Sequence, residues 1–367
     1  MQTLLFSRQD ISRIVHAIGF DRLMDVTISG IRDALREFDP TAYSIPVRSG
    51  FTYDDESGRG LLEWMPVLRY GDRVVVKLVG YHPDNPQQFA LPTILSTIVT
   101  FDTCSGHARS IVDGTFLTSL RTGAASAVAS SVLASPGSRV LGLIGAGAQA
   151  VTQLHALSRE FPLEQVLIHD IDMAACNSFA RRAGCTGLDI PIDVRTLDDV
   201  LQEADIVCTS TSMEVGAGPL FEDCALRSHV HFNAIGSDFP GKFELPIALL
   251  RRSLVCPDFI DQAILEGECQ QLDREDIGPD LPTLVREAGR FIGNRDSITV
   301  FDSTGWALED LITSEIIASL GAELDCGTAV ELQCIADDPK NPYGFINDNS
   351  AEQAMSIEKL LGARGSR

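Results

Sequence analysis

The chain has 367 residues, of which 44% are hydrophobic and 22% are charged, and its formal net charge is −22. This length allows two domains, and the composition is that of a water-soluble globular protein. The strong negative charge argues against nucleic acid and anionic membrane surfaces as partners, because both require a basic protein face.

Nine scattered cysteines, with no Cys-x-x-Cys pair, indicate reduced thiols and no zinc or other metal site. The first ten residues lack the basic and apolar regions of a signal peptide, and no run of 18 apolar residues occurs. We therefore expect a cytoplasmic protein that does not associate with membranes.

The first 100 residues predict an α+β unit without a nucleotide-binding motif. Thr3–Phe6 is typical of a short strand, and Ser7 to Asp10 resembles a capping box at the start of a helix. Two amphipathic helices are predicted by apolar residues at helical spacing, namely Ile11, Ile14, Val15 and Ile18, followed by Met24, Ile28, Ile31 and Leu35. Strand-length apolar segments follow at 44–47, 61–65, 73–79 and 93–100.

Residues 122–134 are mostly small and predict a connecting helix that packs close to its neighbours. From residue 138 to about 303, strands at 140–144, 165–170, 205–210, 230–235, 253–256 and 297–301 alternate with helical patterns. Such alternation predicts an α/β fold with a doubly wound parallel sheet, that is, a Rossmann domain. A helix at 310–321 would return the chain to the first unit, so we predict a Rossmann domain of residues 126–314 and a discontinuous α+β domain of residues 1–125 and 315–367. Beyond Asp337, including 347–350, loose order is expected.

A dinucleotide-binding turn is predicted directly after the strand Val140–Ile144. Gly145 permits a tight turn, Gly147 lets the backbone approach a pyrophosphate, and Ala150 stands where a third glycine allows close helix packing. Asp170 ends the next strand, where a carboxylate meets the ribose hydroxyls and disfavours a 2′-phosphate. The pattern favours NAD over NADP; the alternative is an ordinary glycine-rich turn followed by a surface acid.

Polar residues at strand ends and within apolar strands are the candidates for chemistry. Asp238 follows a strand and could act as a base near a nicotinamide; alternatively, it caps a turn or pairs with Lys242. The cations that suit a substrate carboxylate are Arg48, Lys77 and Arg121. Taken alone, Lys77 is more easily explained as lying on the solvent face of a half-buried strand, and Glu63 could likewise be an exposed strand acid.

Five segments together resemble the ornithine cyclodeaminase/mu-crystallin family and occur in its order. They are Glu63-Trp-Met-Pro66, Lys77 to Pro86, Arg121 to Ala127, Gly145 to Ala150 and Gly236 to Leu245. Further stretches are similar to the lysine cyclodeaminases of that family, namely Gly80 to Phe89, Leu91 to Leu95, Glu266 to Leu272 and Val300 to Gly305.

This resemblance implies an NAD-dependent homodimer in which the discontinuous domain binds substrate and forms the dimer. Arg48, Lys77 and Arg121 would hold the carboxylate of a small basic amino acid, Glu63 would face the reacting amine, and Asp238 would act as the base. Candidate cofactor contacts are Thr122, Gly145, Ala146, Gly147, Ala148, Gln149, Asp170, Ser210, Ile235, Gly236 and Ser237.

The implied reaction converts L-lysine to L-pipecolate and ammonia with NAD recycled internally. Ornithine, which would give L-proline, differs by one methylene and stays an alternative substrate. A ketimine reductase or amino-acid dehydrogenase with net use of NAD(P)H is a second alternative, and a nucleotide-dependent binding protein is a third. The convergent acid and cations speak against a pure binding protein.

Overall fold

The computed structural model describes residues 1–55 and 58–346. Its strands are β1 (Thr3–Phe6), β2 (Tyr43–Ser44), β3 (Ser49–Asp55), β4 (Gly58–Arg69), β5 (Arg73–Tyr81), β6 (Ile94–Asp102), β7 (Ala108–Asp113), β8 (Val140–Ile144), β9 (Gln165–His169), β10 (Ile192–Val194), β11 (Ile206–Thr209), β12 (His231–Ala234), β13 (Leu254–Pro257), β14 (Thr299–Asp302) and β15 (Thr328–Val330). Its helices are α1 (Arg8–Ile18), α2 (Phe20–Arg36), α3 (Asn85–Gln88), α4 (Gly114–Leu133), α5 (Ala148–Glu160), α6 (Met173–Ala183), α7 (Leu197–Glu203), α8 (Ile247–Arg251), α9 (Ile260–Glu266), α10 (Leu281–Arg286), α11 (Ala288–Phe291) and α12 (Ala307–Glu323). Within these two ranges, no helix combines the length and apolar character that a bilayer-spanning segment requires.

The first sheet is mixed and has the strand order β15-β1-β7-β6-β5-β4-β2, with β3 also pairing with β4. Helices α4 and α12 pack on one face and α2 packs on these two helices, so that Met24, Leu117 and Leu311 join Met65 and Val75 of the strands in one apolar core. The chain returns from the second sheet through α12 to β15, which pairs antiparallel with β1. The first sheet therefore takes one edge strand from a late part of the chain, and the division into two domains stays a prediction.

The second sheet is entirely parallel and has the order β10-β9-β8-β11-β12-β14-β13. Along β8, Leu141 and Leu143 pack with residues of α5 and α6, whereas Ile144 packs with residues of α7 and α8. Helices on both faces explain why these short strands are apolar on both sides. The predicted doubly wound α/β fold is confirmed.

The helix that leads into the second sheet begins earlier than predicted. The Asp113 side chain accepts a hydrogen bond from the Thr115 amide at 3.2 Å, so α4 begins at Gly114 rather than near Thr122. A Cβ atom at Gly123 would lie 2.6 Å from the Thr152 carbonyl oxygen of α5. The predicted close packing of the small-residue segment is therefore confirmed at this helix pair.

Several predictions for the first sheet are wrong or incomplete. The strand predicted at 44–47 ends at Ser44, and Pro46, two residues later, lacks the N–H that a ladder requires. The strand Ser49–Asp55 was missed because its sequence is mostly polar and has no apolar alternation. It is extended because it pairs antiparallel with β4. The strands β7 and β15 of this sheet were missed as well, as was β10 at the edge of the second sheet. The expected loose order of 347–350 lies outside the described residues.

Candidate active site

The glycine-rich turn joins β8 to α5 in the predicted conformation. Gly145 has φ +98°, and a Cβ atom there would lie 2.6 Å from the Ser210 carbonyl oxygen. Gly147 caps α5 without a side-chain hydrogen bond, and a Cβ atom there would meet no atom within 4 Å. Gly147 and Ala148 are exposed, so the start of α5 is open to a ligand next to the turn, which fits a pyrophosphate.

Asp170 lies beside this turn at the end of β9. Its Oδ2 accepts a hydrogen bond from the Ala146 amide at 2.6 Å. Arg182 of α6, which sequence reasoning missed, donates to the Ala146 carbonyl oxygen at 2.6 Å and to that of Gly147 at 3.3 Å. The turn is therefore held from both its amide and its carbonyl sides, and its geometry fits a dinucleotide.

Of the other candidate cofactor contacts, Ser210 follows β11, Ile235, Gly236 and Ser237 follow β12, and Thr122 lies in α4. The Ser210 hydroxyl donates to the Gly145 carbonyl oxygen at 3.4 Å, and the Ile235 amide donates to the Thr209 carbonyl oxygen at 2.9 Å. The Gly236 amide donates to Glu244 at 2.9 Å. Two candidates already use their hydroxyls within the protein: Ser237 donates to the Lys242 carbonyl oxygen at 2.6 Å, and Thr122 donates to the Thr118 carbonyl oxygen at 2.8 Å.

Arg48 is buried between two carboxylates. Its Nη1 lies 3.5 Å from Oε2 of Glu63 on β4, and its Nε lies 2.6 Å from Oε1 of Glu266 on α9. The guanidinium also donates to the Thr304 carbonyl oxygen after β14. The predicted possibility that Glu63 is exposed is wrong, because this side chain is buried. Arg48 thereby links the first sheet to the second.

Lys77 and Arg121 share a second buried acid group. Lys77 Nζ lies 2.8 Å from Oδ2 and 3.0 Å from Oδ1 of Asp310, and both side chains are only 1% exposed. Arg121 donates to Glu309 at 3.0 Å, and its Nε lies 3.4 Å from Asp310 Oδ1. The reading of Lys77 as a solvent-facing residue is wrong, because its ammonium finds a buried anion.

Asp238 lies in the loop after β12 and contacts Lys242. Lys242 Nζ donates to Asp238 Oδ1 at 2.9 Å, so the pairing considered as an alternative is present. The Glu63 carboxyl feels the charges of both Asp238 and Lys77. The base candidate Asp238 and the cations Arg48 and Lys77 therefore all lie near Glu63.

The matching family model is that of the ornithine cyclodeaminase/mu-crystallin family, and it covers residues 8–320. The chain belongs to this family. An L-lysine cyclodeaminase of Streptomyces rapamycinicus is 39% identical over 346 residues, which are 94% of this chain and 100% of that protein.

Two solved structures of enzymes have the same fold as this chain. A lysine cyclodeaminase, whose structure addresses recognition of L-lysine, L-ornithine and L-2,4-diaminobutyric acid, has a TM-score of 0.90 and 44% identity, covering 94% of this chain and 100% of that chain. An archaeal alanine dehydrogenase dimer with bound NAD has a TM-score of 0.79 and 28% identity, covering 91% of this chain and 100% of that chain. The resemblance inferred from the motifs is confirmed.

Burial shifts the pKa values of several groups in this cyclodeaminase-family site toward neutrality. It raises the pKa of Glu63, and it raises the pKa of Glu266 and of Glu309 to about 8. Burial, together with the neighbouring Arg121 charge, lowers the pKa of Lys77 to about 8. Groups whose protonation changes near neutral pH are able to exchange protons with a bound amino acid.

Sequence reasoning missed the acids that pair with the cations, namely Glu266, Glu309 and Asp310. Glu309 and Asp310 are adjacent residues in α12, and both are 1% exposed. Their signal was present, because these two acids stand between apolar residues at the start of α12, Leu308 before them and Leu311 after them. Glu266 lay within a stretch used for the resemblance, but its pattern gives no reason to pair it with Arg48.

Proposed function

We propose that the chain is an NAD-dependent L-lysine cyclodeaminase, which converts L-lysine to L-pipecolate and ammonia without net oxidation. The observation that carries the proposal is the burial of Arg48, Lys77 and Arg121 among acids, in a chain whose glycine-rich turn fits a dinucleotide. Identity of 39% to an L-lysine cyclodeaminase over that protein's full length supports the same activity.

The three cations would hold the substrate carboxylate. Each is already ordered by a buried acid: Arg48 by Glu266, Lys77 by Asp310 and Arg121 by Glu309. Side chains that are fixed before binding lose little conformational freedom when the carboxylate arrives. The clamp would thus set the position of the substrate Cα atom relative to the cofactor.

The nicotinamide of bound NAD supplies an acceptor for one hydride, which it later returns. Glu63, which lies 3.5 Å from Arg48, would face the α-amino group and the departing ammonia. Asp238 would take the proton from the distal ammonium of the substrate, so that the nitrogen lone pair closes the ring. Because attacking and attacked atoms belong to one molecule, proximity supplies much of the rate.

L-Ornithine is the second candidate substrate. A solved relative with 44% identity recognises both L-lysine and L-ornithine. One methylene changes binding in a pocket by only about 1–3 kcal/mol. We therefore expect activity on both diamino acids.

We also propose that the enzyme is a homodimer that pairs through the outer face of the first sheet. Phe51, Leu62, Leu78 and Leu95 lie on one face of neighbouring strands, and each is at least 39% exposed. A contiguous apolar face of this kind is typical of a protein interface, and one structural neighbour is a dimer. Light scattering should give a dimer for the unaltered protein and a monomer for Leu78→Glu; dimers in both would refute this interface.

We propose the cytoplasm as the location of the enzyme, because its nine free cysteines suit a reducing compartment.

Product analysis tests the proposed reaction. The purified enzyme is incubated with NAD and L-lysine deuterated at Cα, and products are identified by mass spectrometry. We expect ammonia and pipecolate in equal amounts, with deuterium retained at C2 because the abstracted hydride returns to the same carbon. Steady accumulation of NADH, or loss of the label, would refute the redox-neutral cycle. Parallel reactions with ornithine and 2,4-diaminobutyrate define the substrate range.

A further inference from the structure

The ammonium of Lys242 is fixed against the carboxylate that we propose as the base. Lys242 Nζ donates to Asp238 Oδ1 at 2.9 Å. The lysine side chain is 8% exposed, whereas that of Asp238 is 38% exposed. Lys242 Nζ also lies 5.8 Å from the centre of the Tyr81 ring, a distance at which the ring face attracts a cation. The pair therefore has a buried cationic side and an open carboxylate side.

Hydrogen bonds of the surrounding loop hold this lysine in place. Its carbonyl oxygen accepts from the Ser237 hydroxyl at 2.6 Å and from Gln270 Nε2 at 2.9 Å. Gln270 Oε1 in turn accepts from the Gly241 amide at 2.7 Å. The backbone around Lys242 is thus anchored, and its side chain, which is 8% exposed, is held by its hydrogen bond to Asp238.

Other charged and titratable groups also surround the pair. The Asp238 charge acts on Glu63, Arg48 and Glu266, which therefore lie near it. Glu244 and the Tyr81 phenol act on Lys242, while Glu214 and Arg59 act on Tyr81. Within residues 1–55 and 58–346, only Lys242 forms a hydrogen bond with the Asp238 side chain, and Oδ2 is left for a ligand.

We propose that Lys242 is a positioning residue. Its positive charge causes Asp238 to bind the distal nitrogen of the substrate as a neutral amine rather than as an ammonium. This inference rests on the proposed function. An isolated carboxylate would bind the distal ammonium as an ion pair and stabilise its charged form, which has no lone pair for ring closure. The fixed ammonium of Lys242 opposes a second positive charge at the same carboxylate. The substrate ammonium therefore loses one proton through Asp238 Oδ2 to solvent, and its lone pair becomes free to form the new C–N bond.

The test compares Lys242→Met with Lys242→Arg in the full-length enzyme loaded with NAD. The first variant removes the positive charge and the second keeps it. For Lys242→Met we expect the acidic limb of the kcat profile with L-lysine to move up by about one pH unit, which lowers kcat about tenfold below that limb. KM should not rise, because the uncompensated carboxylate still attracts the ammonium. Lys242→Arg should keep the limb of the unaltered enzyme.

Two results would overturn the inference. One is a Lys242→Met profile that matches the unaltered enzyme, and the other is an equal loss in Lys242→Arg, which would mean that lysine shape rather than charge matters. NAD affinity confirms that each variant is folded, and Lys242→Gln replaces Lys242→Met if the latter does not bind NAD. Failure of the unaltered enzyme to form pipecolate at any pH would instead refute the proposed function.

Discussion

The buried pair of Lys77 and Asp310 permits a quantitative test of the proposed clamp. Lys77 Nζ lies 2.8 Å and 3.0 Å from the two Asp310 oxygens, and both side chains are 1% exposed. Asp310→Asn keeps the shape but removes the negative charge, which leaves the ammonium buried beside the like charge of Arg121. Breaking a buried pair in this way costs about 3–5 kcal/mol. We expect the free energy of unfolding to fall by that amount.

Urea unfolding followed by tryptophan fluorescence measures this loss. Both tryptophans report on the relevant region, because Trp64 lies in β4 and Trp306 directly precedes α12. Loss of the Asp310 charge also lowers the pKa of Lys77 further, so a larger fraction of this side chain is uncharged near neutral pH and KM for L-lysine should rise as well. The control is Lys77→Met with Asp310→Leu, which should regain most of the stability without regaining activity. A loss below about 1 kcal/mol in Asp310→Asn would refute the assignment of a buried charge pair.

Three further predictions concern the base, the turn and pH. Asp238→Asn should keep NAD affinity but form no pipecolate; unchanged turnover would remove Asp238 from the reaction. Gly147→Ala should keep the stability of the NAD-free protein and weaken NAD binding in a titration. Gly145→Ala should destabilise the protein itself, because Gly145 has φ +98° and the Ser210 carbonyl oxygen would lie 2.6 Å from the new Cβ. Burial raises the pKa of Glu266 from 4.5 to about 8. Between these values the folded state holds a proton that the unfolded state has released, so the free energy of unfolding should fall as the pH rises from 5 to 8. Glu266→Gln should reduce that fall in urea unfolding at the two pH values; an equal fall in both proteins would contradict the pKa shift.

The nucleotide-binding part of the fold could be predicted because its signals are local. A five-residue apolar strand, a turn that needs Gly145 at positive φ, and a helix start all lie between residues 140 and 160. The acid at Asp170 follows one βα unit later and lies beside the same turn. Each of these features follows from neighbouring residues, so periodicity and turn chemistry were sufficient.

The first sheet was harder to predict because its order depends on pairing between strands. β3 has the polar sequence Ser-Gly-Phe-Thr-Tyr-Asp-Asp, and it is extended because β4 pairs with it from Ser49 to Asp55. β15 has three residues and exists as an edge of β1, more than 320 positions earlier in the chain. Such strands lack an apolar period of their own, and only the assembled sheet defines them.

The ion pairs of the site could be predicted only in part. The cations at 48, 77 and 121 were recognisable in the sequence, but their partners lie at 266, 309 and 310. A buried ammonium or guanidinium requires an anion, so a predicted buried cation already implies a buried acid elsewhere. The sequence contains two such acids in α12, where Glu309 and Asp310 lie between Leu308 and Leu311. Apolar helices with unexplained acids are therefore where the partners of a predicted cation cluster should be sought, even when the two are nearly 200 residues apart, as Arg121 and Glu309 are.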